Sequence, residues 1–105
     1  MALYQKKCKP CEGGTPPLTQ EQSKILLTQL QNWELKDGRI EKEFKFKDFS
    51  EAMKFVNSVA EIAEFEGHHP DIGISWNRVR LSLVTHAIGG LSENDFIMAS
   101  KIDRL

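Results

Sequence analysis

Residues 48–67, DFSEAMKFVNSVAEIAEFEG, decide the fold. Phe49, Ala52, Met53, Val56, Val59, Ala60 and Ala63 follow at intervals of 3, 1, 3, 3, 1 and 3, the rhythm of one helical face. Phe55 and Ile62 lie beside that stripe and widen it. Asp48 and Glu51 have capping-box spacing at the start, and Gly67 supplies a left-handed terminator at the end. A long amphipathic helix in mid-chain is therefore expected.

Strand patterns flank it. Upstream, Trp33 and Leu35 alternate with polar residues, Asp37-Gly38 supplies a turn, and Phe44 and Phe46 alternate with Glu43, Lys45 and Lys47. Downstream, Ile72, Ile74 and Trp76 alternate, the chain turns near Asn77, and Val79, Leu81, Leu83 and Thr85 alternate with Arg78, Arg80 and Ser82. Each side thus predicts one half-buried hairpin. Thr19 with Gln22 opens a first helix running to about Asn32, and Ser92 with Asp95 opens a last one containing Phe96, Ile97, Ala99 and Ile102. The order αββαββα predicts an α+β fold, a four-stranded antiparallel sheet with helices on one face. Residues 1–17, rich in Lys, Gly and Pro, read as a tail or loosely docked arm, and residues 18–105 as the domain.

Composition narrows the function. A chain of 105 residues is one domain, burying about 60–70% of its unfolded surface. Fourteen basic and fifteen acidic side chains leave a net charge of -1, without the basic excess that tracks phosphates, so no direct nucleic-acid partner is expected. No apolar run reaches the roughly 18 residues of a membrane span. The amino terminus lacks the apolar stretch of a signal peptide, and two cysteines make no disulfide scaffold, so a cytoplasmic location is expected.

The chemistry-bearing residues cluster. His68, His69 and His86 all fall between positions 68 and 86. A hairpin turning near Asn77 brings 68–70 and 84–87 to the same end of the sheet, and Pro70 restricts His69 to extended backbone. Solvated surface histidines are the plain alternative. Glu61, Glu64 and Glu66 occupy the last turns of the long helix, where its dipole disfavours carboxylates. Glu61 and Glu66 read as a solvated face, whereas Glu64 can reach the histidine loop, orient a ring and raise its pKa. Adjacent histidines diverge in extended chain, and there is no HExxH or paired CxxC, so no metal is expected at the cluster. Cys8 and Cys11 form one CxxC in the Pro- and Gly-rich arm, outside the strand-to-helix setting of a redox motif, and read as a thiol pair with incidental metal affinity.

Glu64-x-x-x-His68-His69-Pro70, followed by Trp76, His86 and Asp95, resembles the signature of the pterin-4a-carbinolamine dehydratases, with every slot filled over 32 residues. The similarity runs from about Leu18 to the end and includes the FIMA run at 96–99. The CxxC arm is similar to that of bacterial members found with phenylalanine hydroxylase. Gly67 departs from the animal members, which mostly carry aspartate there.

The resemblance implies a hydro-lyase acting on 4a-hydroxytetrahydrobiopterin or a related pterin, giving the quinonoid dihydropterin in regeneration of an aromatic amino acid hydroxylase's cofactor. It implies a homodimer or homotetramer and no cofactor. His68, His69 and His86 are the implied catalytic residues, with His69 the principal acid/base. Gly67, His68, His69, Val84, Thr85, His86 and Ala87 form the implied binding edge. Glu64 tunes the cluster, Trp76 walls the pocket or joins the core, and Asp95 caps the last helix or partners His86. Expelling hydroxide from a carbinolamine needs one proton delivered and one removed, which suits histidine's unperturbed pKa. Two alternatives stand beside this: a dimerisation cofactor of a transcription factor, as in animal relatives, and a pterin-related role in molybdopterin metabolism.

Overall fold

Two tight turns shape the sheet. Asp37 and Gly38 both take positive φ (52° and 76°), the left-handed pair whose twist matches the strands it joins. They link β1 (Glu34–Lys36) to β2 (Arg39–Lys45). Trp76, at φ 50°, and Asn77 link β3 (Asp71–Ser75) to β4 (Arg78–Leu83). The computed structural model describes residues 1–10 and 13–105; Cys11, and with it the pairing of the CxxC motif, lies outside the described residues. All neighbours are antiparallel in the order β1-β2-β4-β3, so the two hairpins join through β2 and β4, with Ile40 opposite Leu83 and Phe44 opposite Val79. The remaining elements are α1 (Gln20–Leu27), α2 (Phe49–Glu66) and α3 (Glu93–Ile102), with single 3₁₀ turns at Leu3–Gln5 and His86–Ile88. This is the expected αββαββα order, α+β, with the helices packed on the sheet.

Two helices differ from expectation, and the third adds a feature of its own. The first stops at Leu27, five residues short of Asn32: the Thr28 hydroxyl bonds the Ile25 carbonyl at 2.6 Å, the next turn tightens to i→i+3 bonds, and Asn32 at φ 62° swings the chain into β1. On α2 the buried line runs through Ala52, Val59, Ala63 and Glu66, while Phe49 and Ala60 are exposed and Phe55, Val56 and Ile62 are partly covered. Phe55 packs on Phe44 and Phe46, with centroids 4.6 and 5.0 Å apart. Helix α3 is buried on nearly every side, from Asn94 through Ser100 and again at Ile102.

The arm contributes to that burial of α3. Leu3, 2% exposed, belongs to the core, and its 3₁₀ turn packs on α3. Of the two expected readings, a tail or a loosely docked arm, the described residues of the segment follow the docked one, with Leu3 buried.

One polar side chain points into the helix-facing side of the sheet. Lys42, opposite Leu81, sets its ammonium 2.8 Å from Asp103 Oδ1 beyond α3. The same carboxylate accepts from Trp33 Nε1 at 3.0 Å and from Gln31 N at 3.1 Å, so β2, the entry to β1 and the chain end share one anchor. Replacing Asp103 with Ala strands a mostly buried ammonium and an indole N–H. It should cost about 3 kcal/mol in urea unfolding, whereas a loss under about 0.5 kcal/mol would mean the contact is solvent-screened.

Candidate active site

Gly67 ends α2 at φ 68°, the left-handed region that favours glycine, and its N–H and that of His68 both bond the Ala63 carbonyl (2.9 and 3.2 Å). That closed turn aims His68 and His69 across the mouth of the sheet before Pro70 leads into β3. Because β3 and β4 are antiparallel, with Asp71 opposite Ser82, residues 67–70 and 84–87 leave the same end of the sheet. His86 does not end a strand as expected: β4 stops at Leu83, and His86 opens the 3₁₀ turn closed by Gly89 at φ 67°. All three histidines, with Gly67, Val84, Thr85 and Ala87, line one cavity of about 530 Å³. That is a small-molecule size.

Two carboxylates hold two of the rings. Asp95, fully buried, accepts from Ser92 N at 3.0 Å and Thr85 Oγ1 at 2.8 Å, and lies 2.6 Å from His68 Nε2. It is therefore both a cap and a histidine partner, but the histidine is His68; the expected pairing with His86 does not occur. Ser92 Oγ lies 2.7 Å from Thr85 Oγ1 and extends the chain of hydroxyls behind the cavity. Glu64 reaches the loop as expected, with Oε1 2.6 Å from His69 Nε2, in an exposed pair. An acceptor-only carboxylate on Nε2 places hydrogen there and leaves Nδ1 of each ring for exchange. His86 is exposed, and its ring makes no hydrogen bond to the described residues, although its carbonyl accepts from Gly89 N at 3.1 Å.

Trp76 is not part of this arrangement. It occupies the β3–β4 turn, 66% exposed, at the opposite end of those strands, where no side chain of the cavity lies. It neither walls the pocket nor enters the core of the chain, because a left-handed turn position projects the indole outward. Arg78 and Arg80 are exposed on β4, as their alternation implied.

Sequence reasoning missed Glu66, Asn94 and the arm. Glu66 is buried; its Oε1 accepts from Cys8 N and its Oε2 from Lys101 Nζ, both at 2.9 Å. The signal was available: Val59, Ala63 and Glu66 keep the 4 and 3 spacing of the buried line. Burial acts to raise the Glu66 carboxyl, but the Cys8 N–H and the Lys101 ammonium outweigh it and hold it below its ordinary value of 4.5. Burial, with the Glu66 carboxylate beside it, pushes the Cys8 thiol up to about 12, so at neutral pH it is neither a thiolate nucleophile nor a ready metal ligand. Among the described residues no three His, Cys, Asp or Glu side chains converge as a metal site requires. None of the described helices is long and apolar enough to cross a membrane.

Residues 16–105 match the family model described as pterin 4 alpha carbinolamine dehydratase. The chain belongs to that family. It is 54% identical over 104 residues to a Nitrosomonas eutropha protein provisionally named pterin-4-alpha-carbinolamine dehydratase, covering 98% of this chain and 92% of the relative. A Methylococcus capsulatus protein of the same provisional name is 51% identical over 106 aligned positions, covering 99% and 93%. Among solved structures, a transcriptional coactivator/pterin dehydratase from Brucella melitensis superposes with a TM-score of 0.80 at 38% identity, covering 84% of this chain and 96% of that one. A pterin dehydratase-like protein described as a RuBisCO assembly factor in the alpha-carboxysome shares the fold, with a TM-score of 0.58 at 23% identity over 70% of this chain and 84% of that one. The family match begins at residue 16, near the end of the arm, whereas the alignments to the two bacterial relatives include nearly all of it.

The Glu66 anchor has a defined pH dependence. A carboxyl lowered by folding stabilises fully above its unfolded value of 4.5, and that contribution fades as pH falls through the lowered value. Wild type and Glu66→Gln should therefore differ in urea unfolding at pH 7, with wild type the more stable, and converge as the pH drops below 4.5. A gap that stays constant to pH 2.5 would contradict the ion-pair assignment.

Proposed function

We propose that the protein is a 4a-hydroxytetrahydropterin dehydratase, a hydro-lyase that converts the carbinolamine to the quinonoid dihydropterin. The supporting observation is the convergence of three imidazoles from two segments on one cavity, two of them held by carboxylates. The family membership gives the substrate class.

The electron pair at N5 forms the C4a–N5 double bond as the C4a–O bond breaks. An imidazolium delivers a proton to the departing oxygen, and a neutral imidazole takes the proton from N5, so water leaves and the histidines' total protonation is unchanged. His69 is the principal acid/base in this reading: its Nδ1 is free to exchange while Glu64 stabilises the charged ring through Nε2. His68, fixed by Asp95, and His86, unconstrained and solvent-facing, share proton transfer and hold the pterin. The two faces of C4a would give different histidines the leading role. The backbone of 67–69 and 84–87 forms the binding edge. The alternative surface-histidine reading does not account for a buried carboxylate committed to orienting His68.

In this reading the product passes to a reductase, and the enzyme serves an aromatic amino acid hydroxylase in the cytoplasm. The reading also includes a homo-oligomer. The edge strand β3 is exposed along its length, and Ile72 and Ile74, 38% and 43% exposed, leave apolar surface beside it. Light scattering should report a dimer or tetramer, and Ile74→Lys should shift it toward monomer; a monomeric wild type would remove this part of the reading.

The catalytic assignment is tested by following 4a-hydroxytetrahydropterin disappearance for both C4a stereoisomers. His69→Ala should lower kcat/KM about 10²–10⁴-fold for at least one isomer. Glu64→Ala should cost about tenfold or less, since its pair with His69 is exposed. Near wild-type rates for His69→Ala with both isomers would exclude the role given to that ring.

A further inference from the structure

We infer that Cys8, Lys9 and Pro10 of the amino-terminal arm form a wall of the pterin cavity, and that Asn94 and Glu66 are positioning residues that hold this wall in place. The inference deepens the dehydratase reading and rests on it. All three arm residues line the same cavity as the histidines. Asn94 grips the backbone of Lys9 at both polar groups: its Oδ1 accepts from Lys9 N at 2.9 Å, and its Nδ2 donates to the Lys9 carbonyl. The Cys8 thiol donates to the Asn94 carbonyl at 3.7 Å, and the Cys8 N–H is held by Glu66, whose side chain is 2% exposed and charge-balanced by Lys101.

The anchors sit on the elements that present the chemistry. Asn94 precedes Asp95, the partner of His68, on the first turn of α3; Glu66 lies two residues before His68 at the end of α2. Docking of the arm is thereby referenced to the same two helix ends as the ring of His68. No hydrogen bond joins the described arm residues to a histidine, so the arm acts on binding and solvent access, and proton transfer is left to the rings. Its loss should therefore appear in KM and leave kcat nearly unchanged. By linkage, a pterin that touches the arm must tighten it in turn.

The test uses the full chain with Cys11→Ser, leaving Cys8 as the one thiol. Relative to this background, Asn94→Ala should raise KM for 4a-hydroxytetrahydropterin about tenfold with kcat within twofold, the loss of a paired set of hydrogen bonds. Alkylation of Cys8 by iodoacetamide should accelerate at least tenfold in Asn94→Ala. A stable 7,8-dihydropterin should slow it in the background protein. An Asn94→Ala variant with faster Cys8 alkylation but unchanged KM overturns the wall, as does alkylation indifferent to dihydropterin in the background protein. Should Asn94→Ala fail to fold, Asn94→Asp, of the same size and lacking the donor to Lys9, must raise KM at least threefold for the inference to stand. A background protein that neither turns over the carbinolamine nor binds dihydropterin overturns the dehydratase reading itself; normal turnover with a kinetically unaltered Asn94→Ala overturns the arm assignment alone.

Discussion

A single buried carboxylate joins the parts of this molecule that matter to its chemistry. Asp95 has no exposure to solvent, and such a group is tolerated only where its oxygens are well supplied with donors. Here the donors come from three places: Ser92 N at the start of α3, Thr85 Oγ1 just past β4, and the His68 ring on the loop after α2. Satisfying one carboxylate therefore requires a helix end, a strand exit and a loop to meet at fixed distances. The exit of β4 and the loop after α2 each supply lining to the cavity, and the arm supplies more.

Around this point the molecule separates polar tasks by burial. Asp95 and Glu66 are enclosed, and they position: one holds a ring, the other an arm. His69 and His86 are exposed, and in the proposed reading they exchange protons with ligand and water. A general acid or base needs a titration range near neutrality and a path to solvent, while its orienting partner gains strength from a drier setting. Away from the histidine cavity, at the other end of α3, the Lys42–Asp103 contact repeats the positioning device, there joining β2 to the residues after the helix.

Much of the fold was legible because it is written in local periodicity. The alternations at 72–76 and 79–85 located β3 and β4, which end at Ser75 and Leu83, the Asp37-Gly38 turn located the first hairpin, and the boundaries of α2 follow from Asp48 and Gly67. Gly67, the departure from the animal pattern, takes the positive φ that closes α2. Failures arose where a distant segment altered a local preference. Nothing within α3 itself signals that it is buried on nearly every side, since part of that cover comes from the Leu3 turn at the other end of the chain. Trp76 fits an alternating strand pattern, but the two-residue turn needed a left-handed residue at that place. Of the site, the convergence of His68, His69 and His86 and the reach of Glu64 followed from hairpin geometry. The choice of His68 as the partner of Asp95 did not, since both histidines lie at the same sheet end and spacing does not distinguish them.

By itself the amino-acid order determined the type and sequence of the elements, the end of the sheet at which imidazoles gather, and the family to which the pattern belongs. These depend on interactions within a few residues or across one hairpin, where backbone geometry leaves little choice. Tertiary structure alone decided that an arm of Lys, Gly and Pro docks, that Glu66 turns inward to meet Cys8 and Lys101, and that Asn94 clasps Lys9. Those contacts span 35 to 85 residues, and charge burial is favourable only once every partner has arrived together, a condition no local stretch of sequence can express.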